Sequence, residues 1–354
     1  MTTSPQPPRR RILGRLPGGA EVGAWLLGSP GTLEVEILEW GAIVSRLWVA
    51  GQGGQRDDVV LGFSGLEPYL DNPSYFGAVV GRIAGRLPGA VLWVDGVSYP
   101  VAENRPHLHL HGGRHGFSRQ LWQAEGGVNG SGEPWLRLWR HSPDGEEGYP
   151  GAIEVDLVYT LAGDSVLRLE SHARSGRPTP LCMTQHSYFN LAGESSGSLA
   201  GHVLQIDADH VLAWGEGMAM LPERVPVEGT PCDFRRPRPL EEAIPALRFQ
   251  HGDVYCLPRK PGPAALARAA RLSCPAAGRS LEVWTTESHL QFYTAAHFDG
   301  TETGKSGMPY PRHAGCCLEC QGFARGSEFP HFDDIMVKPG KSQHRVTEYR
   351  FGTP

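Results

Sequence analysis

The chain has 354 residues, of which 40% are hydrophobic and 20% charged, and its formal net charge is -5; that is enough apolar material for a core, and no basic excess that would hold nucleic acid. Gly and Pro number 46 and 30, and since neither suits a helix interior, short strands joined by many turns are expected rather than long helices. No apolar run approaches the length of a membrane span, so a soluble, cytoplasmic protein with no membrane partner is expected.

The first segment is basic, with Arg9, Arg10 and Arg11 in a row, and lacks the apolar stretch of a secretory leader. Residues 1–12 are expected to form a solvated, disordered tail, and 13–354 a single domain. Leu33-Glu34-Val35-Glu36-Ile37 alternates apolar and charged residues, the pattern of a strand with one dry and one wet face. The same alternation recurs in Ile153-Glu154-Val155-Asp156-Leu157, running on towards Tyr159 and Leu161, and in Leu167-Arg168-Leu169-Glu170 and Leu281-Glu282-Val283. Asn129-Gly130, Asp144-Gly145, Asp299-Gly300 and Pro339-Gly340 punctuate the chain as turns. By propensity, short helices are expected over 240–247 and 263–272. There is no strand–helix–strand rhythm and no repeat, so the expected fold is all-β, a large antiparallel β-sandwich.

Several segments could carry chemistry. Gly81-Arg82-Ile83-Ala84-Gly85-Arg86 offers two guanidinium forks, suited to sugar oxygens or to a buried carboxylate. In His107-Leu108-His109-Leu110-His111 a strand would put three imidazoles on one face, which could bind a metal. No carboxylate stands nearby to orient such ligands, and Gly112-Gly113 reads instead as a tight turn that lets a ligand approach the backbone. His186 sits in Thr184-Gln185-His186-Ser187-Tyr188-Phe189-Asn190, either a pocket wall or a hydrogen-bonded core histidine. Gln291 lies beside Phe292 and Tyr293, again an amide among aromatics. Glu319 lies in the apolar run Cys317-Leu318-Glu319-Cys320-Gln321, where a carboxylate must be paired or functional. The seven cysteines are expected to be reduced. Cys317 and Cys320 have CxxC spacing but lack the second pair of a zinc ribbon and the helix of a redox site.

In chain order these segments resemble the aldose 1-epimerase (galactose mutarotase) family over about 21–351. The resemblance is carried by Trp40-Gly41-Ala42-Ile43, Asp58-Val59-Val60-Leu61-Gly62-Phe63, Tyr75-Phe76-Gly77-Ala78-Val79-Val80-Gly81-Arg82 and Leu110-His111-Gly112-Gly113. Asp144-Gly145-Glu146-Glu147-Gly148-Tyr149-Pro150-Gly151, Gly229-Thr230-Pro231 and Asp233-Phe234-Arg235 extend it, as do the His186, Gln291 and Glu319 segments. It implies a β-sandwich whose open cleft binds a free aldose such as galactose or glucose. It implies interconversion of the α and β anomers by ring opening and reclosure, with no cofactor and no metal, in a monomer or homodimer. Residue by residue it implies Glu319 as the base, His186 as the acid on the other side of the ring, and Arg86, His111 and Gln291 as sugar-binding groups. A bell-shaped pH profile with His186 on its upper limb is then expected. One stretch, Gln250-His251-Gly252-Asp253-Val254-Tyr255, departs from the family's pattern. Gapless matching puts Gly252 at the family's aspartate, and Asp253 is expected to take over that sugar contact. Three other readings stay open: a non-catalytic carbohydrate-binding protein, a metal-dependent hydrolase built on His107, His109 and His111, and an epimerase of a phosphorylated hexose using Arg82, Arg86 or Arg114.

Overall fold

The computed structural model describes residues 6–29, 31–215, 219–248, 251–258, 265–323 and 332–354. The strand Ile153–Ala162 shows how the alternating pattern builds the fold. Ile153, Val155, Leu157 and Tyr159 are buried and Glu154 is exposed, so one face is committed to the core. This strand belongs to a nine-stranded antiparallel sheet. Its order is Gln123–Val128, Pro134–Ser142, Ile153–Ala162, Val166–Ser175, Gln343–Gly352, Arg279–Thr285, Ala267–Cys274, Val203–Ile206 and Arg238–Pro239. The last long strand of the chain is thus inserted in the middle of the sheet.

A six-stranded sheet runs Tyr188–Phe189, Cys316–Gln321, His289–Tyr293, Asp253–Cys256, His210–Trp214 and Met220–Pro226. A five-stranded meander is formed by Arg9–Arg15, Glu21–Leu27, Glu34–Leu38, Val44–Ala50 and Arg56–Asp58. One apolar core joins all three, with Val155, Leu157 and Tyr159 from the large sheet, Leu290, Phe292 and Leu318 from the second, and Val35, Ile37 and Leu47 from the meander. The fold is an all-β sandwich, as the alternation predicts. No helix of the described residues is long and apolar enough to cross a membrane.

Three local expectations need correction. Residues 9–12 are not a loose tail: Arg9–Arg15 pairs with Glu21–Leu27, and residues 1–5 lie outside the described residues. The cause is electrostatic. Glu36 and Glu39 are only 7% and 6% exposed, and a buried carboxylate needs a partner. Arg11 Nη2 donates to Glu36 Oε2 at 2.6 Å and Arg10 Nε to Glu39 Oε1 at 2.7 Å. The charged face of the Glu34–Leu38 strand is therefore covered rather than wet. Finally, the helix expected over 263–272 is a strand, Ala267–Cys274, held between Val203–Ile206 and Arg279–Thr285; two ladders override the weak helix preference of Ala and Arg. Residues 263 and 264 lie outside the described residues. The other expected helix is present as Leu240–Ala243, continued by a 3-10 turn at Ile244–Ala246.

Candidate active site

The floor of the site is set by strand parity. In the six-stranded sheet Gln291 pairs with Glu319, and Phe292 with Leu318. Phe292 and Leu318 belong to the core, so Cys317, Glu319 and Gln291 must point from the opposite face. There Glu319 and Gln291 line a cavity of about 680 Å³, closed over by Tyr75, Arg86, His111, His186 and Tyr188. His186 is fixed by its own backbone, whose N–H donates to Ala78 O at 2.8 Å. Its ring lies among Tyr188, His111 and Tyr75, at 5.1, 5.2 and 6.0 Å between centroids.

His186 Nε2 is 3.7 Å from Glu319 Oε1, and the two residues are 4% and 3% exposed. Burial pushes the Glu319 carboxyl up to about 8, against the attraction of Arg86. Burial pushes His186 down to about 4, and the Arg86 charge lowers it further. Both shifts favour the uncharged forms. The pair therefore holds one proton over a wide range of pH, and moving that proton from carboxyl to imidazole turns the neutral pair into an ion pair. The two groups stand side by side at the cavity wall.

Cys317 Sγ lies 3.6 Å from His186 Nδ1. Burial raises the Cys317 thiol well above its usual range, and the Glu319 charge adds to this, so it stays an S–H. To accept the pair's proton from the Glu319 carboxyl, neutral His186 must be bare at Nε2, which leaves the ring proton on Nδ1, towards the Cys317 sulfur. Parity with Glu319 was the sequence signal for this cysteine. His186, Cys317 and Glu319 also place donor atoms within 4.8 Å of one another, a spacing that could hold a metal ion.

Arg86 enters from the strand Arg86–Pro88, its backbone opposite Leu110. Among the described residues its guanidinium makes no hydrogen bond or ion pair, although it is close enough to Glu319 for the two charges to interact. An unpaired fork of donors on a cavity wall suits vicinal hydroxyls. His111 Nδ1 accepts from the Gly85 N–H at 3.2 Å, which puts the ring proton on Nε2. Burial holds the ring well below its usual pKa, so it is a neutral donor. Gln291 Nε2 donates to His251 O at 2.9 Å, which orients the amide.

Asp253 does not join this group. It pairs with Phe292, while Val254 pairs with Gln291, so alternation sends the Asp253 side chain to the core face. It is 2% exposed, and burial raises its carboxyl pKa beside Cys232 and Trp214. Gly252 supplies no side chain, and a Cβ there would lie 2.2 Å from Phe292 O and 2.6 Å from Gln291 Nε2 at a φ of +79°. The cavity wall at this point is instead His251, stacked on His297 at 4.7 Å. Asp299 and Glu302 bring carboxylates to the same rim. The sequence marks Asp299 only as part of a turn and His251 only as part of the departing stretch, and it does not mark His297 or Glu302.

The remaining candidates disperse. His109 is buried against Ala102 O and the Tyr149 hydroxyl, His107 is exposed, and only His111 reaches the cavity, because only Leu108–Leu110 is extended. Gly112 forms the expected turn: at φ +90°, a Cβ would lie 1.7 Å from Gly81 O. Arg82 is buried among carbonyls, donating to Gly151 O at 2.5 Å and Pro143 O at 2.8 Å. Arg114 donates to Glu103 O at 2.7 Å and does not line the cavity. Cys317 and Cys320 point to opposite faces of one strand, and all seven cysteines are free.

The sequence model of the aldose 1-epimerase family matches residues 24–350. The chain is 39% identical to the galactose mutarotase of Homo sapiens, over 97% of this chain and 98% of that protein. It is 30% identical to the aldose 1-epimerase of Haemophilus influenzae, over 95% of this chain and 97% of that one. Among solved structures, an aldose epimerase homologue from C. elegans has the same fold, with a TM-score of 0.84 at 24% identity, covering 94% of this chain and 99% of that one. The chain belongs to the aldose 1-epimerase family, and it is an isomerase that interconverts sugar anomers.

Proposed function

We propose that this aldose 1-epimerase acts on free aldohexoses such as D-galactose and D-glucose in the cytoplasm, with Glu319 as base and His186 as acid. The observation that carries the reading is the 3.7 Å approach of His186 Nε2 to Glu319 Oε1 at the floor of the cavity. O1 and O5 of a pyranose are bonded to the same carbon, so neighbouring groups can each engage one of them. Glu319 takes the proton of the anomeric hydroxyl while His186 protonates O5, and the C1–O5 bond opens to the aldehyde. Rotation about C1–C2 presents the other carbonyl face, and the reverse transfers close the other anomer. Each group is asked for roughly 10²–10⁴-fold.

The charge states fit this cycle. The closed sugar reacts with the ion pair, and ring opening returns the pair to the neutral form that burial favours. Arg86, His111 and Gln291 offer the sugar hydroxyls three donors on separate walls. The cytoplasmic assignment rests on seven cysteines that form no disulfide. The test is polarimetry of fresh α-D-galactose with and without EDTA. Accelerated decay of rotation that EDTA leaves unchanged is expected. Failure with galactose, glucose, xylose and arabinose alike, or turnover of hexose 6-phosphates only, sinks the reading; loss of rate in EDTA would move the His186, Cys317 and Glu319 trio to a metal-assisted mechanism.

A further inference from the structure

The outer face of the nine-stranded sheet carries a donor group that neither the core nor the cavity uses. Val166–Ser175 and Gln343–Gly352 pair so that His172 stands directly opposite His344, and Glu170 lies two residues before His172 on the same face. The two imidazoles stack 4.3 Å apart and within 8° of parallel. His344 Nε2 is 3.3 Å from Glu170 Oε1. One ligand atom from each of the three residues lies within 4.8 Å of the others.

We propose that Glu170, His172 and His344 form a transition-metal site, taking Zn²⁺ or a similar borderline divalent ion. Two imidazole nitrogens and one carboxylate oxygen suit such ions better than Mg²⁺ or Ca²⁺, which prefer oxygen alone. Donors around a tetrahedral ion at about 2.0–2.1 Å stand roughly 3.3 Å apart. The His344–Glu170 spacing already has that value, and a His172 ring nitrogen lies within 4.8 Å of both. All three residues are partly exposed, so the ion enters from solvent and water completes its shell. Both strands are paired on each side within the sheet, so the backbone holds the donors without a loop to order.

Electrostatics agree with the geometry. Burial, and then the His344 ring, lower the pKa of His172, with Glu170 and Asp156 opposing and Arg174 adding to the lowering. A neutral imidazole is the form that binds metal. Asp156 pairs with His172 from the other neighbouring strand but is held by Arg137, whose Nε lies 2.6 Å from Asp156 Oδ1. It adds negative charge beside the ion without ligating it. A bound ion cross-links the chain's last strand to Val166–Ser175, on the far side of the sandwich from the cavity.

The test uses the full-length, untagged chain stripped with a chelator and titrated with ZnCl₂ by calorimetry. One equivalent with micromolar or tighter affinity is expected, together with a Tm that rises with free Zn²⁺. His344→Ala, His172→Ala and Glu170→Gln should each weaken binding tenfold or more while leaving mutarotation unchanged. Co²⁺ in place of Zn²⁺ should give a visible absorption band that disappears in His344→Ala. Binding that survives His344→Ala, binding abolished by His186→Ala, or no one-equivalent binding below millimolar Zn²⁺ each overturns the proposal.

Discussion

Replacing Glu319 by Gln keeps the size and hydrogen-bonding capacity of the side chain but removes its charge, and the structure predicts two opposite consequences. The first is kinetic. A positioned base contributes roughly 10²–10⁴-fold, so kcat should fall by that factor, about 3–5 kcal/mol of barrier, with KM changed little. The second is thermodynamic. Burial raises the Glu319 carboxyl from 4.5 to about 8, so the folded protein binds this proton more tightly than the unfolded chain. Stability linked to it is fully present below pH 4.5 and is lost as pH rises through 8. At pH 7 the loss is about 3 kcal/mol, taking about 1.4 kcal/mol for each pH unit above 4.5. Glu319→Gln should therefore be more stable than the wild type by about that amount at pH 7, with the difference shrinking to nothing near pH 4. Polarimetry and urea unfolding at both pH values measure the two effects. A variant with wild-type turnover would falsify the base assignment. A stability gain independent of pH would mean that the carboxylate is not held at a desolvation cost.

The proton shared by His186 and Glu319 predicts a bell-shaped kcat/KM profile. Activity falls below about 4, where both groups are protonated, and above about 8, where neither is; a rate still rising at pH 9 would contradict it, and Glu319 rather than His186 sets the upper limb. Arg86→Met should lower kcat/KM ten- to hundredfold, since a charged hydrogen bond to the sugar is worth about 1.5–3 kcal/mol, and should move the upper limb to higher pH by removing the cation that lowers Glu319. Cys317→Val leaves His186 Nδ1 without its sulfur partner, so kcat should drop about tenfold and the lower limb should shift, while Cys317→Ser restores both; an unchanged pH profile in the valine variant would limit Cys317 to packing. Asp253→Asn should leave KM for galactose within about twofold, because the side chain faces the core; a tenfold rise in KM in steady-state polarimetry would return it to the cavity.

Which features the sequence makes legible follows from how far each reason extends along the chain. The Ile153–Ala162 strand is written in its own alternation, the Cys316–Gln321 strand only in its apolar run, and the resemblance adds the roles expected of Glu319 and His186. Asp253 shows where matching along the chain stops. Moving a carboxylate one residue along a strand sends it to the opposite face, so a substitution that looks conservative in sequence takes it out of the cavity altogether. Arg9–Arg15 and Ala267–Cys274 were hidden for another reason. Their strand character comes from partners distant in sequence, buried Glu36 and Glu39 in one case and two flanking strands in the other. His251 and His297 meet only because two loops converge, and nothing local predicts that contact.

The relation between Arg86 and Glu319 explains why the cavity keeps an unpaired guanidinium. A direct ion pair would satisfy both groups and would pull the carboxyl far below neutrality, giving a stable site with a weak base. Held apart, Arg86 only moderates the effect of burial, and the carboxyl stays near 8, where a proton can be taken and returned at little cost. In the proposed mechanism the unused donors of Arg86 meet the sugar hydroxyls, and a bound sugar replaces the solvent that the cavity removes from both charges. The same cation opposes protonation of His186, so the ion pair that the proposed mechanism needs for ring opening is disfavoured until substrate hydroxyls surround it, and on that mechanism the cavity holds its charge separation for the complex rather than for the free enzyme.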